Sequence, residues 1–393
     1  MAEETPPPTR RQWLGAALLG GGVAMAGAAA LAGRGQSSDN QGARQNAKSA
    51  SQSDLASPAI SRNIRELRMV TTWPKGLPGL GQSADLLARN VEAMSEGRIR
   101  IRVFADGELV KALECFDAVS AGSADLYHGA EYYWTGKAKA FAFFTAVPFG
   151  MTAPEIMGWI DHGGGQALWE ELSGQFNIIA MQAANTGHQM GGWFRREINR
   201  IDDWRGLKMR IPGLGGDVIR AMGASSVVIP GSDIFEALAS GAIDATEWVG
   251  PWNDQALGFH RAAPYYYGPG FHEPGSSLAI GMNRNVWNQL SASDQAMIRA
   301  AAAATNHWSL GAFTFRNGNA LSELLANGTQ LRSFPDAVMV RAQEAARDIV
   351  AAVGQGDDLS RRIYQSFAKA QSSMRVWSQI GDGAYIRARA LHG

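Results

Sequence analysis

The sequence lacks most of the features that would place it in several common protein classes. It has one cysteine, Cys115, so no intramolecular disulfide can form. Lysine plus arginine and aspartate plus glutamate both total 36, which leaves no basic excess to neutralise nucleic acid phosphates. The seven histidines include no His-x-His or His-x-x-x-His pair, and this argues against a zinc enzyme. Nucleic acid is therefore not expected as the main partner.

Two glycine-rich segments are incomplete as catalytic or cofactor motifs. His162-Gly-Gly-Gly165 resembles the oxyanion loop of lipases, but no Gly-x-Ser-x-Gly nucleophile motif accompanies it. Gly213-Leu-Gly-Gly216 has the wrong spacing for a dinucleotide loop, and we interpret it as a helix start that offers backbone N–H groups to an anion. Cys115 lies in a helical pattern and is interpreted as a small buried residue rather than a nucleophile.

The N-terminal segment has the pattern of an export signal. The arginine pair in Thr9-Arg-Arg-Gln-Trp-Leu14 precedes an uncharged run, rich in glycine and alanine, that extends to Ala32. This pattern is typical of the twin-arginine route, and Ala30-Leu31-Ala32 offers the small residues that a signal peptidase needs. We predict a signal peptide over residues 1–33 and a periplasmic mature protein. A signal that is kept as a membrane anchor is the alternative.

Residues 34–64 have a different composition. Serine, glutamine, asparagine, alanine and aspartate dominate this stretch, and Leu55 and Ile60 are almost its only large apolar residues. Such a segment cannot bury enough apolar surface to fold by itself. We predict a disordered tether here, with the folded part of the chain beginning near Arg65.

Strand and helix patterns alternate along the rest of the chain. Residues 98–104 alternate apolar and charged side chains, as a strand with one buried face does, whereas residues 83–94 repeat their apolar side chains at helical spacing. A further strand is predicted at 242–248, and one helix at 154–172. This order is typical of an α/β protein with mixed, mostly parallel sheets, and 393 residues suggest two domains.

Three short segments combine the residue types that can hold a small organic anion. They are Gln189-Met-Gly-Gly-Trp-Phe194, Lys208-Met-Arg-Ile-Pro-Gly-Leu-Gly-Gly216 and Asp244-Ala-Thr-Glu-Trp-Val-Gly-Pro-Trp-Asn-Asp254. Arginine presents a planar fork that matches a carboxylate. Glutamate, glutamine and backbone carbonyl oxygens are hard donors that suit Na⁺, Ca²⁺ or Mg²⁺. Because each segment follows or ends a predicted strand, the three can converge on one cleft.

These segments and their order resemble the solute receptors of tripartite ATP-independent periplasmic (TRAP) transporters. The resemblance is closest to the branch that binds 2-oxo acids and other monocarboxylates together with a metal ion, and it runs from about Leu67 to near Trp308. It implies a two-lobed periplasmic binding protein in which the lobes exchange crossover connections at a hinge. The crossings are expected near residues 186–189 and 274–277. The predicted segments are 65–187 and 276–315 for lobe I, and 188–275 and 316–393, with the C-terminal helices, for lobe II.

The same resemblance assigns roles to individual residues. Arg210 occupies the place of the arginine that pairs with the substrate carboxylate. In this branch a glutamate, the carbonyl of the following tryptophan and a glutamine side chain hold the ion, and here these are Glu247, Trp248 and Gln189. Na⁺ and Ca²⁺ both fit this description. The alternative is a pocket without metal in which Glu247 pairs with Arg210, because a charge at the end of an apolar strand needs compensation.

Further side chains are expected around the ligand. Tyrosines that follow a predicted strand at 125–128 can pack on a small molecule and donate a hydrogen bond. A tryptophan after Gln189 is expected to wall the pocket, and an amide before it to bind the ligand. The candidate substrate contacts besides Arg210 are Gln189, Asn185, Tyr132, Tyr133, Trp193 and Glu247, and Glu273 is an additional candidate ion contact.

The predicted function is that of a non-catalytic receptor. It would capture a 2-oxo or 2-hydroxy monocarboxylate, such as pyruvate or lactate, with Na⁺ or Ca²⁺, and deliver it to a small and a large integral membrane subunit. One alternative is a receptor for a dicarboxylate or a sugar acid, which would need a second cationic anchor. Another is a metal-assisted enzyme acting on 2-oxo acids with Glu247 as base. The helices predicted over residues 337–392 are candidates for a homodimer contact.

Overall fold

The computed structural model describes residues 64–392. The predicted signal peptide and the predicted tether up to residue 63 lie outside the described residues. The strands are Arg65–Thr71 (β1), Ile99–Phe104 (β2), Leu126–Gly129 (β3), Ile178–Asn185 (β4), Gly192–Phe194 (β5), Lys208–Arg210 (β6), Ser225–Val227 (β7), Ala245–Thr246 (β8), Tyr265–Gly268 (β9), Ser277–Asn283 (β10) and Gln330–Ser333 (β11).

The strands form two sheets. The first sheet has the order β2-β1-β3-β10-β4, and the second has the order β11-β9-β5-β8-β6-β7. In β2, Ile99 and Ile101 are buried and Arg100 and Arg102 are exposed, which is the alternation expected of a strand with one covered face. Every residue of β4 and β10 is buried, because helices and neighbouring strands cover both faces there.

Both sheets mix parallel and antiparallel pairings. Five of the nine pairings among the described strands are parallel. In the first sheet β10 runs antiparallel between β3 and β4, and in the second sheet β5 runs antiparallel to β8 and β9. The predicted α/β architecture with two mixed, mostly parallel sheets is confirmed.

The chain crosses repeatedly between the two sheets. It leaves the first sheet after β4 and enters the second at β5, and it returns between β9 and β10. These crossings span residues 186–191 and 269–276, and the predicted crossings overlap them. The chain then reaches the second sheet again at β11. Crossing segments of this kind bring residues from both sheets to one cleft.

Helices separate most of the strands. None of those within residues 64–392 combines the length and apolar character needed to cross a bilayer. They are Leu80–Met94 (α1), Cys115–Ser120 (α2), Ala153–His162 (α3), Gly165–Gly174 (α4), Gly213–Ala221 (α5), Gly231–Ser240 (α6), Pro251–Leu257 (α7), Arg284–Asn288 (α8), Ala292–Ala326 (α9), Asp336–Val353 (α10), Asp358–Ser378 (α11) and Ala384–Arg389 (α12).

Two elements differ from the sequence-based expectation. The helix predicted over 154–172 is split into α3 and α4, because Gly164 adopts a left-handed conformation with φ of 85°. The strand predicted over 242–248 shrinks to Ala245–Thr246. After β8 the chain turns away, and the backbone N–H groups of Val249 and Gly250 donate to Asp254 Oδ1 at 3.2 and 3.1 Å. This turn releases Glu247 and Trp248 from the sheet.

One apolar cluster joins the two sheets at the cleft. It contains Trp73 and Leu278 from segments of the first sheet, together with Trp248 and Tyr266 from segments of the second. A separate cluster lies on the first sheet and includes Phe367 of helix α11. The lobe boundaries stay a prediction, and this contact argues for assigning α11 to lobe I rather than, as predicted for 316–393, to lobe II.

Candidate ligand and ion site

Arg210 ends strand β6 with its guanidinium buried in the protein. Only 1% of the residue is exposed. Its Nε donates to the carbonyl of Ile229 at 3.3 Å, and its Nη1 donates to the Glu247 carboxylate. The guanidinium carbon lies 5.0 Å from the centre of the Trp248 ring. A strand end and a stacked indole therefore hold the arginine in one orientation.

Glu247 follows β8 and is the buried counterion of this arginine. Its backbone N–H donates to the Arg210 carbonyl at 3.2 Å, so the two residues are linked by backbone as well as by charge. The second carboxylate oxygen lies 3.2 Å from His272 Nε2. Arg210 and Glu247 therefore pair directly in this structure. Such a buried pair is stable only while both partners keep their hydrogen bonds.

His272 and Glu273 extend the charged cluster. Ligand atoms of Glu247, His272 and Glu273 lie within 4.8 Å of one another. Burial, followed by the nearby Glu247 charge, raises the pKa of Glu273 to about 7. Burial alone lowers the pKa of His272, but the hydrogen bond and charge of Glu247 raise it overall. No sequence motif marks His272 as a site residue, although its position next to Glu273 in the crossing segment is a usable signal.

The side-chain oxygen of Gln189, Oε1, is the strongest single indication of a bound cation. It lies in the crossing between β4 and β5, and its Nε2 donates to Thr186 Oγ1 and to Ser276 Oγ, both at 3.1 Å. Its Oε1 is buried, and no described residue donates a hydrogen bond to it. A buried carbonyl oxygen without a donor is costly unless something else satisfies it.

The surrounding donors match a hard cation. The Glu247 and Glu273 carboxylates are oxygen ligands, as are Gln189 Oε1 and the backbone carbonyl of Trp248. Gln189 and Trp248 line the same small cavity, which measures about 10 Å³, room for roughly one water molecule. The residues present therefore fit an ion such as Na⁺ or Ca²⁺.

Two tyrosines face this charged cluster from the first sheet. They lie in the 3₁₀ turn Glu131–Trp134 that follows β3. Arg210 Nη2 donates to Tyr133 Oη at 3.4 Å, and Tyr132 Oη donates to Glu273 Oε2 at 3.5 Å. Gly213, with φ of 59°, starts helix α5 next to the Tyr132 ring, where a side chain would crowd the tyrosine.

The cavity has an apolar wall that sequence analysis missed. Trp73 and Leu80 come from the β1–α1 region, and Leu278 comes from β10, so this wall belongs to the first sheet. No local pattern marks these residues as pocket residues, because their apolar spacing equals that of ordinary core. The full lining is Trp73, Leu80, Tyr132, Tyr133, Thr186, Gln189, Trp248, Val249 and Leu278.

Two predicted ligand contacts lie elsewhere in this structure. Trp193 does not line the cavity described above; it is buried, stacks on Tyr266 at a centroid distance of 4.0 Å and donates to Asp254 at 3.0 Å. Asn185 ends β4 and holds the turn after it, where its Oδ1 accepts from the Gly187 N–H at 2.8 Å. Its Nδ2 is buried, and nothing in the described part of the chain accepts a hydrogen bond from it. Of the other predicted residues, Gln189, Tyr132, Tyr133 and Trp248 line the cavity. Arg210 and Glu273 contact the two tyrosines from outside this lining, and Glu247 pairs with Arg210.

A small cavity between two mixed sheets, lined by tyrosines and indoles and adjoining a buried arginine and carboxylates, is typical of a solute-binding protein. The chain belongs to the family of bacterial extracellular solute-binding proteins, family 7 (DctP), whose model matches residues 69–356. The predicted TRAP receptor family is thereby confirmed, as is a binding protein rather than an enzyme.

Three relatives are similar over most of their length. A monocarboxylate 2-oxoacid-binding periplasmic protein of Nostoc sp. is 41% identical over 323 residues, which are 82% of this chain and 88% of the relative. A TRAP solute-binding protein of Bordetella bronchiseptica, described as a dimer with copurified calcium and picolinate, has a TM-score of 0.81 and 36% identity, covering 83% and 97% of the two chains. One from Pseudoalteromonas atlantica, with bound sodium and pyruvate, has a TM-score of 0.80 and 38% identity, covering 82% and 99%.

Glu131 lies in the same turn as the two tyrosines, and we expect it to make the stability of the folded protein depend on pH. Its carboxylate accepts a hydrogen bond from Tyr127 Oη at 2.6 Å, and burial raises its pKa from the usual 4.5 to about 7. Between these pH values the folded protein retains a proton that the unfolded chain releases, so this residue makes the folded state less stable as pH rises through the window.

In the Glu131→Gln variant, stability should therefore fall less steeply between pH 4.5 and 7. The difference should approach about 3 kcal/mol across the window, since each pKa unit corresponds to about 1.4 kcal/mol. Urea unfolding at several pH values measures it. The exposed Glu236→Gln variant is the control, and parallel stability curves for wild type and Glu131→Gln would refute the expectation.

Proposed function

We propose that this protein is a periplasmic receptor for a small 2-oxo or 2-hydroxy monocarboxylate, such as pyruvate or lactate, bound together with Na⁺ or Ca²⁺. It hands the acid to the small and large membrane subunits of a TRAP transporter. The observation that carries the proposal is the buried Arg210–Glu247 pair, together with the buried Gln189 Oε1, which lacks a donor among the described residues. The ligands of the Nostoc and Pseudoalteromonas relatives support the same chemistry.

Arg210 is the group that would bind the carboxylate. Its fork of N–H donors faces Tyr133 and Glu247, and it remains charged at any physiological pH. A hard cation, when bound, supplies positive charge beside Glu247, and the residues that would hold it are Gln189, Glu247, Trp248 and Glu273. With Glu247 compensated in this way, the guanidinium can donate to a ligand instead.

The apolar wall favours a monocarboxylate over the alternatives. Opposite the charged cluster stand Trp73, Leu80 and Leu278, all of them almost completely buried. A second carboxylate, or the hydroxyl groups of a sugar acid, would lose its hydration against this wall without gaining a partner. A short aliphatic group, such as the methyl group of pyruvate, suits the same surface.

Ligand binding is coupled to closure of the cleft in this proposal. The tyrosines belong to the first sheet, and Arg210 and Glu247 belong to segments of the second. A ligand that contacts both groups binds more tightly when the two sides approach, and it shifts the population towards that state. The closed form is the one that the membrane subunits would recognise.

Binding of pyruvate tests this function. Isothermal titration calorimetry with pyruvate should show binding in Na⁺ or Ca²⁺ and much weaker binding after the ions are removed. Arg210→Met should weaken binding by at least about 100-fold, because the charge-assisted hydrogen bonds to the carboxylate are lost. Arg220→Met, which alters an exposed arginine on α5, should bind like wild type. Tight binding by a folded Arg210→Met variant would contradict the assignment.

A homodimer through the C-terminal helices is the second part of the proposal. The end of α11, the π-helical turn Gln379–Gly383 and α12 expose a series of large apolar side chains. Trp377 is 72% exposed and Ile380 is 66% exposed, which is unusual for an unpartnered surface. A groove between α10 and α11 lies nearby and can receive such side chains. The Bordetella relative is described as a dimer.

Replacing Trp377 and Ile380 together by aspartate should convert a dimer into a monomer, because two charges would be buried at the contact. Sedimentation velocity measures this change. Phe315→Asp, on the exposed face of α9, is the control and should leave the mass of the assembly unchanged. A wild-type protein that sediments as a monomer would overturn this part.

Export by the twin-arginine route completes the proposal. The pair Arg10 and Arg11 precedes the apolar run of the predicted signal peptide, and transport after folding would suit a receptor that binds an ion. Changing both arginines to lysine should leave the protein in the cytoplasm, as measured by cell fractionation. Unchanged export would indicate the general secretory route. The length of the exported protein distinguishes a cleaved signal from a retained anchor.

A further inference from the structure

The side-chain amide of Asn253 joins two segments of the chain inside the protein. It lies in helix α7 and is completely buried. Trp248 Nε1 donates to Asn253 Oδ1 at 3.2 Å, and Asn253 Nδ2 donates to the carbonyl of Pro78 at 2.6 Å. The amide therefore links the cavity-lining Trp248 to the backbone before helix α1.

The two bonds of this amide reach different sheets. Trp248 follows β8 of the second sheet, whereas Pro78 lies between β1 of the first sheet and α1. The next residue, Asp254, makes a contrasting set of bonds. Its carboxylate accepts from Trp193 and Tyr266 and from the backbone of the same loop, all of which belong to segments of the second sheet. Asn253 thus spans the cleft, and Asp254 fixes the loop on one side.

Burial distinguishes this bridge from another contact across the cleft. Ser232 Oγ, on α6, donates to Asp106 Oδ2 at 3.0 Å, but this bond is exposed and water can replace it. The Asn253 side chain is completely buried and its bond to Pro78 is partly buried, so water competes for this bond less well than for an exposed one. The energy of the Asn253–Pro78 bond is therefore gained mainly when the two sides come together.

We infer that Asn253 is a positioning residue that couples ligand and ion binding at Trp248 to closure of the cleft. This inference rests on the proposed function, since it requires a ligand that closes the two sides. The indole bond orients Trp248, whose ring stacks on Arg210 and whose carbonyl is a candidate ion ligand. The Pro78 bond transmits that orientation to the first sheet. Closure of the cleft and orientation of Trp248 in the site are thereby coupled.

The Asn253→Ala variant removes both bonds and leaves the groups that contact the ligand in place. Pyruvate affinity in saturating Ca²⁺ should fall about tenfold or more, mostly through faster dissociation, since the closed state loses its buried bridge. Small-angle X-ray scattering should show a smaller decrease in the radius of gyration on adding pyruvate than wild type shows.

Asn283→Ala provides a matched control for this variant. Asn283 is also buried, donates to a backbone carbonyl, that of Val119, at 2.7 Å, and accepts from a backbone N–H, but its bonds stay on the side of the first sheet. We expect it to lower the melting temperature and to leave pyruvate affinity and the scattering change as in wild type. A general loss of stability would affect both asparagine variants alike.

Trp248→Phe tests the hydrogen bond between Trp248 Nε1 and Asn253 Oδ1. It also provides a second test of the inference if Asn253→Ala does not fold. It removes the indole N–H and keeps an aromatic face and the backbone carbonyl. Affinity should fall and the scattering change should shrink, as in Asn253→Ala. Trp159→Phe, which removes a partly buried bond from a buried indole to Ser366 at 3.1 Å in the separate cluster on the first sheet, should do neither.

The outcomes separate this inference from the proposed function. Wild-type protein that fails to bind pyruvate with either ion removes the proposed function, and the inference falls with it. Wild-type binding with unchanged affinity and closure in Asn253→Ala and Trp248→Phe refutes the inference alone. Weaker pyruvate binding and a smaller scattering change in Asn253→Ala and Trp248→Phe support it, provided that Asn283→Ala and Trp159→Phe keep the wild-type affinity and scattering change.

Discussion

The ion pair between Arg210 and Glu247 is the interaction on which the cleft depends. Both side chains are almost completely buried, and removing either partner would leave a buried charge at a cost on the order of 3–5 kcal/mol. The surroundings are arranged to share that charge. The Ile229 carbonyl accepts from Nε of the arginine, and His272 Nε2 lies 3.2 Å from the glutamate. In the proposed bound state, Arg210 would pair with the carboxylate of the ligand and Glu247 with the cation.

The rest of the cleft converts this chemistry into a receptor. The charged groups come from segments of the second sheet, and the tyrosines and the apolar wall come from the first. A small acid can therefore make all of its contacts only when the two sheets approach each other. The crossing that contains Gln189 adds an oxygen that no described side chain satisfies. The buried amide of Asn253 accepts a hydrogen bond from Trp248 and donates one to the Pro78 carbonyl, so it links the two sides. Binding, ion recognition and movement therefore share one set of contacts.

Much of the fold and of the charged cluster could be predicted from sequence patterns. Strand β2 is visible in its alternation, and Arg210, Gln189 and Glu247 lie in segments that resemble a known family. The positions of other residues could not be predicted from these patterns. Trp193 stands in the same segment as Gln189, but it follows a crossing and points into the core. A run of apolar residues does not reveal which face of a two-residue strand such as β8 will meet a cavity.

Local periodicity and short contiguous motifs are enough to predict the alternation of strands and helices, the chemical groups of the cleft and the family to which the chain belongs. The packing of the two sheets, in contrast, places Trp73 and Leu278 in the wall, brings His272 to Glu247 and brings Asn253 to Pro78. The bonded residues 253 and 78 are far apart in the chain, and the direction of a side chain is set by how the sheets pack. Such contacts exist only after the crossings have brought the two sheets together.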